Sequence, residues 1–405
     1  MKHCPLLACL IALPGLAQDN LIINTPVAPG PGFHNVMVGL RQPTKVTNKR
    51  NVIIGYDAAS SAESVENSVV IGPAAGNGGR FRNVSSSVVI GNLAGQDNRA
   101  SNVVMIGQSA GRSNTGPGNI FIGSEAGSTF QGVNSILIGR FATDNDKDAP
   151  VWSNGATYIG HEVAGEDSLS TNGTYLGFKT GINFRTGDGN TFIGTEAGTG
   201  FNAPVYARGN FNTFLGYAAG GQTIRTDENV FLGFQAGYRM ATGKQNVIIG
   251  ARSGEKLSEF VEGLVLIGAN AQAKSGIRNA AAIGANARVE ASNALVLGNE
   301  VSRVGIGTND PQNRLEIVAP TPHSSGLRLS GLTDQSPTQG GATKFLSVNA
   351  QGDVILVQNT PADLTALVER LQVLETANTA LATRVQELEK RRCFICLPRK
   401  PKEKP

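Results

Sequence analysis

No cysteine occurs between Cys9 and Cys393, so no disulfide staples the body of this 405-residue chain. Aromatic residues make up only 6% of it, with a single tryptophan, Trp152. That is little material for a large, conventionally packed core. Charged residues are 16% and the net charge is +4, a balance that argues against nucleic acid as a partner. The four histidines, His3, His34, His161 and His323, are scattered. No cluster has metal-ligand spacing. No nucleophile motif or phosphate loop appears, and Val304-Gly305-Ile306-Gly307 is not a dinucleotide fingerprint because no helix follows it. The expectation is a protein without cofactor or metal that is not an enzyme. The enzymatic alternative is a polysaccharide-degrading β-helix, for which Asp144, Asp146, Asp148, Glu166 and Asp167 are candidates by residue type alone.

What the chain has in quantity is glycine, 51 residues of it, and the glycines are periodic. A clean copy of the repeated phrase is Asn190-Thr191-Phe192-Ile193-Gly194-Thr195-Glu196-Ala197-Gly198. Sixteen copies are recognised by their first glycine, at 39, 55, 72, 91, 107, 123, 139, 160, 177, 194, 216, 233, 250, 268, 284 and 298. A repeat of this length decides the architecture. Each apolar run is short and bounded by Asn and Gly, which predicts a strand and a tight turn rather than a helix. Stacked copies touch only their neighbours, so the fold expected is a β-solenoid. The Asn that opens thirteen copies can form a side-chain ladder or an Asx-turn.

The apolar runs are nearly unbroken, as in Val69-Val70-Ile71 and Val247-Ile248-Ile249. A strand with one wet face alternates; continuous runs imply cover on both. One face fills the solenoid, and the cover expected for the other is a second copy of the chain. Longer insertions, such as 144–155 and 199–209, fall between Ala-Gly and the next Asn and project from one side. Trp152, Phe184, Phe201 and Tyr206 lie in such insertions and are the candidate loop contacts.

The phrase Asn67-Ser68-Val69-Val70-Ile71-Gly72 resembles the head repeats of trimeric autotransporter adhesins of the Yersinia-adhesin type. The resemblance covers about residues 35 to 300. It implies a trimeric left-handed parallel β-roll. The Ala-Gly copies are also similar to secreted repeat proteins of Bacteroidetes-type bacteria. Val304 to Ile317 resembles a connector phrase in those proteins and in phage tail fibres. Such likeness speaks to architecture more than to function.

The ends differ from the body. Residues 1–17 read as a secretory signal peptide, with Leu6 to Leu13 as its apolar core and Gly15-Leu16-Ala17 before the cut; a lipoprotein signal at Cys9 is the rival. Residues 18–34 read as an extended lead-in, 35–300 as the β-roll, and 301–361 as a neck that includes a hairpin with Gly352 at its turn. In 362–391, Leu364, Leu371, Asn378 and Val385 alternate with Leu367, Leu374, Leu381 and Leu388 at heptad spacing. This predicts a parallel coiled coil, with Asp363 as N-cap and Arg370 and Arg384 facing Glu375 and Glu389 between chains. The seam alone does not choose two strands or three; the resemblance implies three. A basic tail, 392–405, carries Cys393 and Cys396, candidates for interchain disulfides. No transmembrane segment remains after signal removal, and no strands for a membrane barrel follow the coil.

The expected function is that of a secreted or cell-surface homotrimeric fibre, structural or adhesive, which binds a glycan or surface protein through its loops. A phage-type tail fibre or host-recognition spike is the alternative.

Overall fold

The structure is a computed structural model. It describes residues 21–23, 34–41, 49–78, 83–143, 151–164, 169–200, 207–321, 326–328, 330, 344–358 and 361–395. Residues 1–17, the loop carboxylates at 144, 146, 148, 166 and 167, Phe201, Tyr206 and Cys396 lie outside the described residues. The chain divides into two compact units, residues 1–324 and 325–405.

The first unit is a parallel β-solenoid. Its main sheet has 17 strands, each stacked on the next rung in strict register, as Thr191–Ile193 on Thr213–Leu215 and that on Val230–Leu232. Each strand is three residues long because the sequence gives it three: the phrase closes on a glycine whose φ lies near +130° in most rungs. A side chain there is excluded twice. The backbone is in glycine territory, and a Cβ on Gly107 would sit 2.4 Å from the carbonyl oxygen of Gly123 in the next rung. A second parallel sheet runs through Leu169–Thr171, Phe184–Asp188, Ala207–Arg208, Arg225–Asp227, Thr242–Lys244 and Val261–Glu262.

The lead-in is shorter than the sequence reading. Leu21–Ile23 pairs parallel with Val36–Val38, so the solenoid begins before residue 35. Asn20-Leu21-Ile22-Ile23-Asn24 is a further copy with Asn in place of the closing glycine, which is why a count by glycine passed over it.

The core is centred on one column, beside which the alanines of Ala-Gly, such as Ala197, Ala219 and Ala236, are also buried. In the main sheet the middle residue of each strand points inward and is buried from Met37 to Ala282, while Val296 in the last rung is only partly buried. Over five rungs this column is aromatic: Tyr158, Tyr175, Phe192, Phe214 and Phe231 stack at centroid distances of 4.9, 4.7, 4.8 and 4.6 Å, with the last pair within 3° of coplanar. Such pairs contribute about 0.5–1.5 kcal/mol each beyond the area they bury. The glycine of Ala-Gly makes room for them: a Cβ on Gly198, Gly220 or Gly237 would come within 2.5 Å of the ring of Phe192, Phe214 or Phe231.

The opening Asn proves to be two positions. Seven copies place Asn four residues before the glycine, and there it is buried. In one run of these, the backbone N–H and side-chain amide of Asn212 donate to Asn190 Oδ1 at 2.9 and 3.0 Å. Asn229 repeats this on Asn212, and Asn246 on Asn229. Each amide also donates to a carbonyl of its own stack, as Asn229 to Gly243 at 3.0 Å. In six copies the Asn stands five before the glycine: Asn67, Asn102, Asn134, Asn172, Asn279 and Asn293. These are exposed, with φ between 51° and 59°. Asn tolerates that left-handed backbone better than most residues. The ladder reading therefore holds in the buried copies, and Asn279 also donates to Asn293 at 3.4 Å among the exposed ones.

At the end of this unit Val304–Ile306 pairs parallel with Leu315–Ile317. In the second unit Lys344–Val348 and Val354–Gln358 form the expected antiparallel hairpin, with Gly352 at φ 88°. Asn349 Oδ1 caps that turn by accepting the Gln351 and Asp353 N–H groups at 3.0 and 2.9 Å. The unit ends in one helix, Pro361–Ile395. Its start precedes the expected N-cap, Asp363, because a proline is tolerated in the first turn, where its missing N–H would have no partner. It also runs past 391, so Cys393 lies in its last turn rather than beyond it.

Candidate functional site

The residues flanking each buried strand centre face outward. Directly before the glycine stand Val38, Ile54, Ile71, Ile90, Ile106, Ile122, Ile138, Ile159, then Leu176 through Leu297 in the later rungs; all sixteen copies have Val, Ile or Leu there. Two residues earlier the column is again Val or Ile in most rungs, with Thr at 157, 174, 191 and 213. These outer residues are half-buried by their neighbours or exposed: Leu176 and Leu215 are each 42% exposed, Leu297 45%. At about 4.8 Å per strand the aliphatic strip runs for roughly 75 Å. A patch of that size is what marks an interaction surface.

The second sheet differs in kind. Its outward residues include Thr186, Asp188, Arg208, Arg225, Asp227, Thr242 and Lys244, and its buried column is small: Gly187, Ala207, Gly209, Thr226 and Gly243. One side of the solenoid is thus dressed for water and the other is not. Ion pairs on the surface, such as Lys179 with Glu162 and Lys244 with Glu228 at 3.5 Å, are exposed and contribute little.

A further column follows the glycine. Phe178, Tyr217 and Phe234 occupy it and are 44%, 46% and 44% exposed. Tyr217 and Phe234 stack at 5.4 Å, and Arg252 lies over the Phe234 ring at 5.7 Å. Their signal in the sequence is the fixed place directly after the glycine, outside the insertions where the candidate loop contacts lie.

Of the candidate loop contacts, Trp152 is 50% exposed and stays a surface aromatic. Phe184 is corrected. It opens a strand of the second sheet, is fully buried and packs edge-on against Phe192 at 5.1 Å. The preceding turn closes when its N–H donates to Gly181, which swings the ring inside. It offers no surface to a partner.

The heptad residues lie on one continuous helix. The side chains of Leu367, Leu371, Leu374, Leu381, Val385 and Leu388 are between 49% and 62% exposed, and Asn378 is exposed among them; Leu364 belongs to the first turn, where side chains are not described. Arg384 pairs with Glu387 three residues on, at 3.3 Å, within the chain. Among the described residues no group of His, Cys, Asp and Glu could hold a metal ion, and no helix is long and apolar enough to cross a membrane. No protein-family model matches the chain, and a search of curated proteins returns no match.

Proposed function

We propose that this protein is a secreted or cell-surface parallel homotrimeric fibre with a structural and adhesive role. Its body is a left-handed β-roll whose copies cover one another's main sheets. Its C-terminal helix forms the coiled coil that sets chain register, and its loops and polar sheet meet a glycan or protein partner. The observation that carries this reading is the outward aliphatic strip, which a lone chain leaves partly exposed in the early rungs and more exposed in the later ones. Burying apolar surface stabilises by about 25 cal/mol per Å², so so large a strip favours association strongly. The exposed leucine seam on the helix asks for the same partner by a separate mechanism. Three copies follow from the likeness of the repeat phrase to trimeric heads, and three copies of one weak site raise avidity.

The test is the mass of the chain from residue 18 onward, by light scattering in dilute buffer. Three chain masses are expected. A stable monomer across micromolar concentrations would remove the fibre reading.

A further inference from the structure

We propose that the second sheet carries a glycan-binding cleft formed by Asp188, Arg208, Asn210, Arg225 and Asp227, with Phe211 as the platform at its rim. This deepens the adhesive reading and rests on it. The cleft measures about 460 Å³ and is shared by three successive rungs. Its floor is glycine because nothing larger fits: a Cβ on Gly187 or Gly209 would lie 1.9 or 1.6 Å from a carbonyl oxygen of the next rung.

The side chains above that floor are not arranged for stability alone. Arg208 and Arg225 are directly opposite in the parallel ladder, and both are exposed. Like charges so placed repel. No carboxylate among the described residues pairs with either guanidinium. The two aspartates are held by the preceding rungs instead, Asp188 by the Thr171 hydroxyl among others. Asp188 Oδ1 accepts the Thr171 N–H at 3.2 Å, and Asp227 Oδ1 accepts the Asn210 N–H at 3.0 Å and its side-chain amide at 3.3 Å. Asn210 Oδ1 in turn accepts the Asp188 N–H at 2.9 Å. One oxygen of each carboxylate is thereby fixed in place, which is how a preorganised site is made.

Phe211 adds a second, independent oddity. It sits five before the glycine, where every copy is left-handed, at φ 56°. The other fifteen residues of that column are Asn, Gly, Ser, His, Arg, Glu or Gln. A bulky aromatic is an outlier in this conformation, and such outliers gather at functional sites. The ring is 64% exposed, and it lies over Gly189, where an added Cβ would be 2.8 Å away. Gly189 follows Asp188 and Phe211 follows Asn210, which puts the ring one residue beyond the cleft's lining.

Fixed carboxylates and an amide accept and donate to sugar hydroxyls. Paired guanidiniums add forked donors, and an exposed ring stacks on the apolar face of a pyranose. The two aspartates disfavour a polyphosphate, so nucleic acid does not fit. Rungs about 4.8 Å apart offer these groups in a row, suited to an oligosaccharide laid along the fibre. Binding of the chain from residue 18 onward to a broad array of neutral and uronate-containing glycans tests this. Phe211→Asn installs the commonest residue of the column and is expected to fold at least as stably, yet to bind roughly tenfold more weakly. Arg225→Thr copies the next rung, where Thr242 stands opposite, and is expected to weaken uronate ligands most. No glycan retained by the wild type, or equal affinity in both variants, overturns the cleft. A trimer that binds none removes the cleft and leaves the fibre; a monomer whose binding falls in Phe211→Asn keeps the cleft and removes the fibre.

Discussion

At the scale of single residues, one amino acid serves two unrelated ends one position apart. The asparagine four before the glycine is a buried amide whose donors and acceptor are all used. The asparagine five before it is a surface residue chosen for its backbone. This separation predicts opposite outcomes for similar changes. Asn229→Leu keeps the volume but strands the Asn246 N–H and the Gly243 carbonyl. Unsatisfied buried groups cost about 1–3 kcal/mol each, so thermal unfolding is expected to fall by many degrees. Asn172→Gly, at φ 55°, gives up nothing inside and is expected to leave the midpoint unchanged or slightly raised. Equal destabilisation by the two would sink the distinction. The phrase itself was legible from the sequence, since Asn and Gly recur with apolar residues between. What was hidden was register. A one-residue shift of Asn moves it from interior to surface, and no propensity distinguishes the two.

At the scale of the element, the three-residue strand explains why the apolar runs do not alternate. Only its central residue enters the core, as Phe214 does, and both flanks, Thr213 and Leu215, face out. The outward aliphatic flanks were readable because period-two alternation was missing. The division of the runs into inner aromatic and outer aliphatic columns was not, because Phe and Leu are equally apolar as letters. Phe184 was misplaced for a related reason: a glycine-rich insertion looks like a loop whether it projects or folds back as a second strand. The outer column can be tested without disturbing the inner one. Leu215→Glu places a carboxylate on an exposed position of the single chain, so the chain is expected to fold with its parallel sheet intact by circular dichroism. In the proposed trimer that carboxylate would be buried unpaired, at a cost of several kcal/mol, and light scattering is expected to show monomer. Phe214→Ala, by contrast, opens a cavity in the aromatic stack, and a loss of about 3–5 kcal/mol in folding stability is expected. If Leu215→Glu left the oligomer unchanged, the strip would not be its interface.

At the scale of the whole molecule, repetition creates a problem that the repeats cannot solve. Every rung offers Val, Ile or Leu at the same outward place. Two chains slipped by one rung would therefore meet aliphatic on aliphatic almost as well as two chains in step. In the proposed trimer the strip would supply affinity without register, and the helix would supply what it lacks. Its heptad seam is finite, and Asn378 interrupts the leucines once; in the proposed coil it would be buried and would satisfy its hydrogen bonds only against its own kind in the neighbouring chains. Ending the chain at residue 360 is then expected not to yield clean monomers. It should yield associated but uneven species, broad in light scattering, with the β signal retained. Asn378→Leu in the full chain should hold the coil together more tightly while allowing more than one assembled mass. A truncated chain that forms a single sharp trimer would show that the solenoid sets its own register, and the helix would need another purpose.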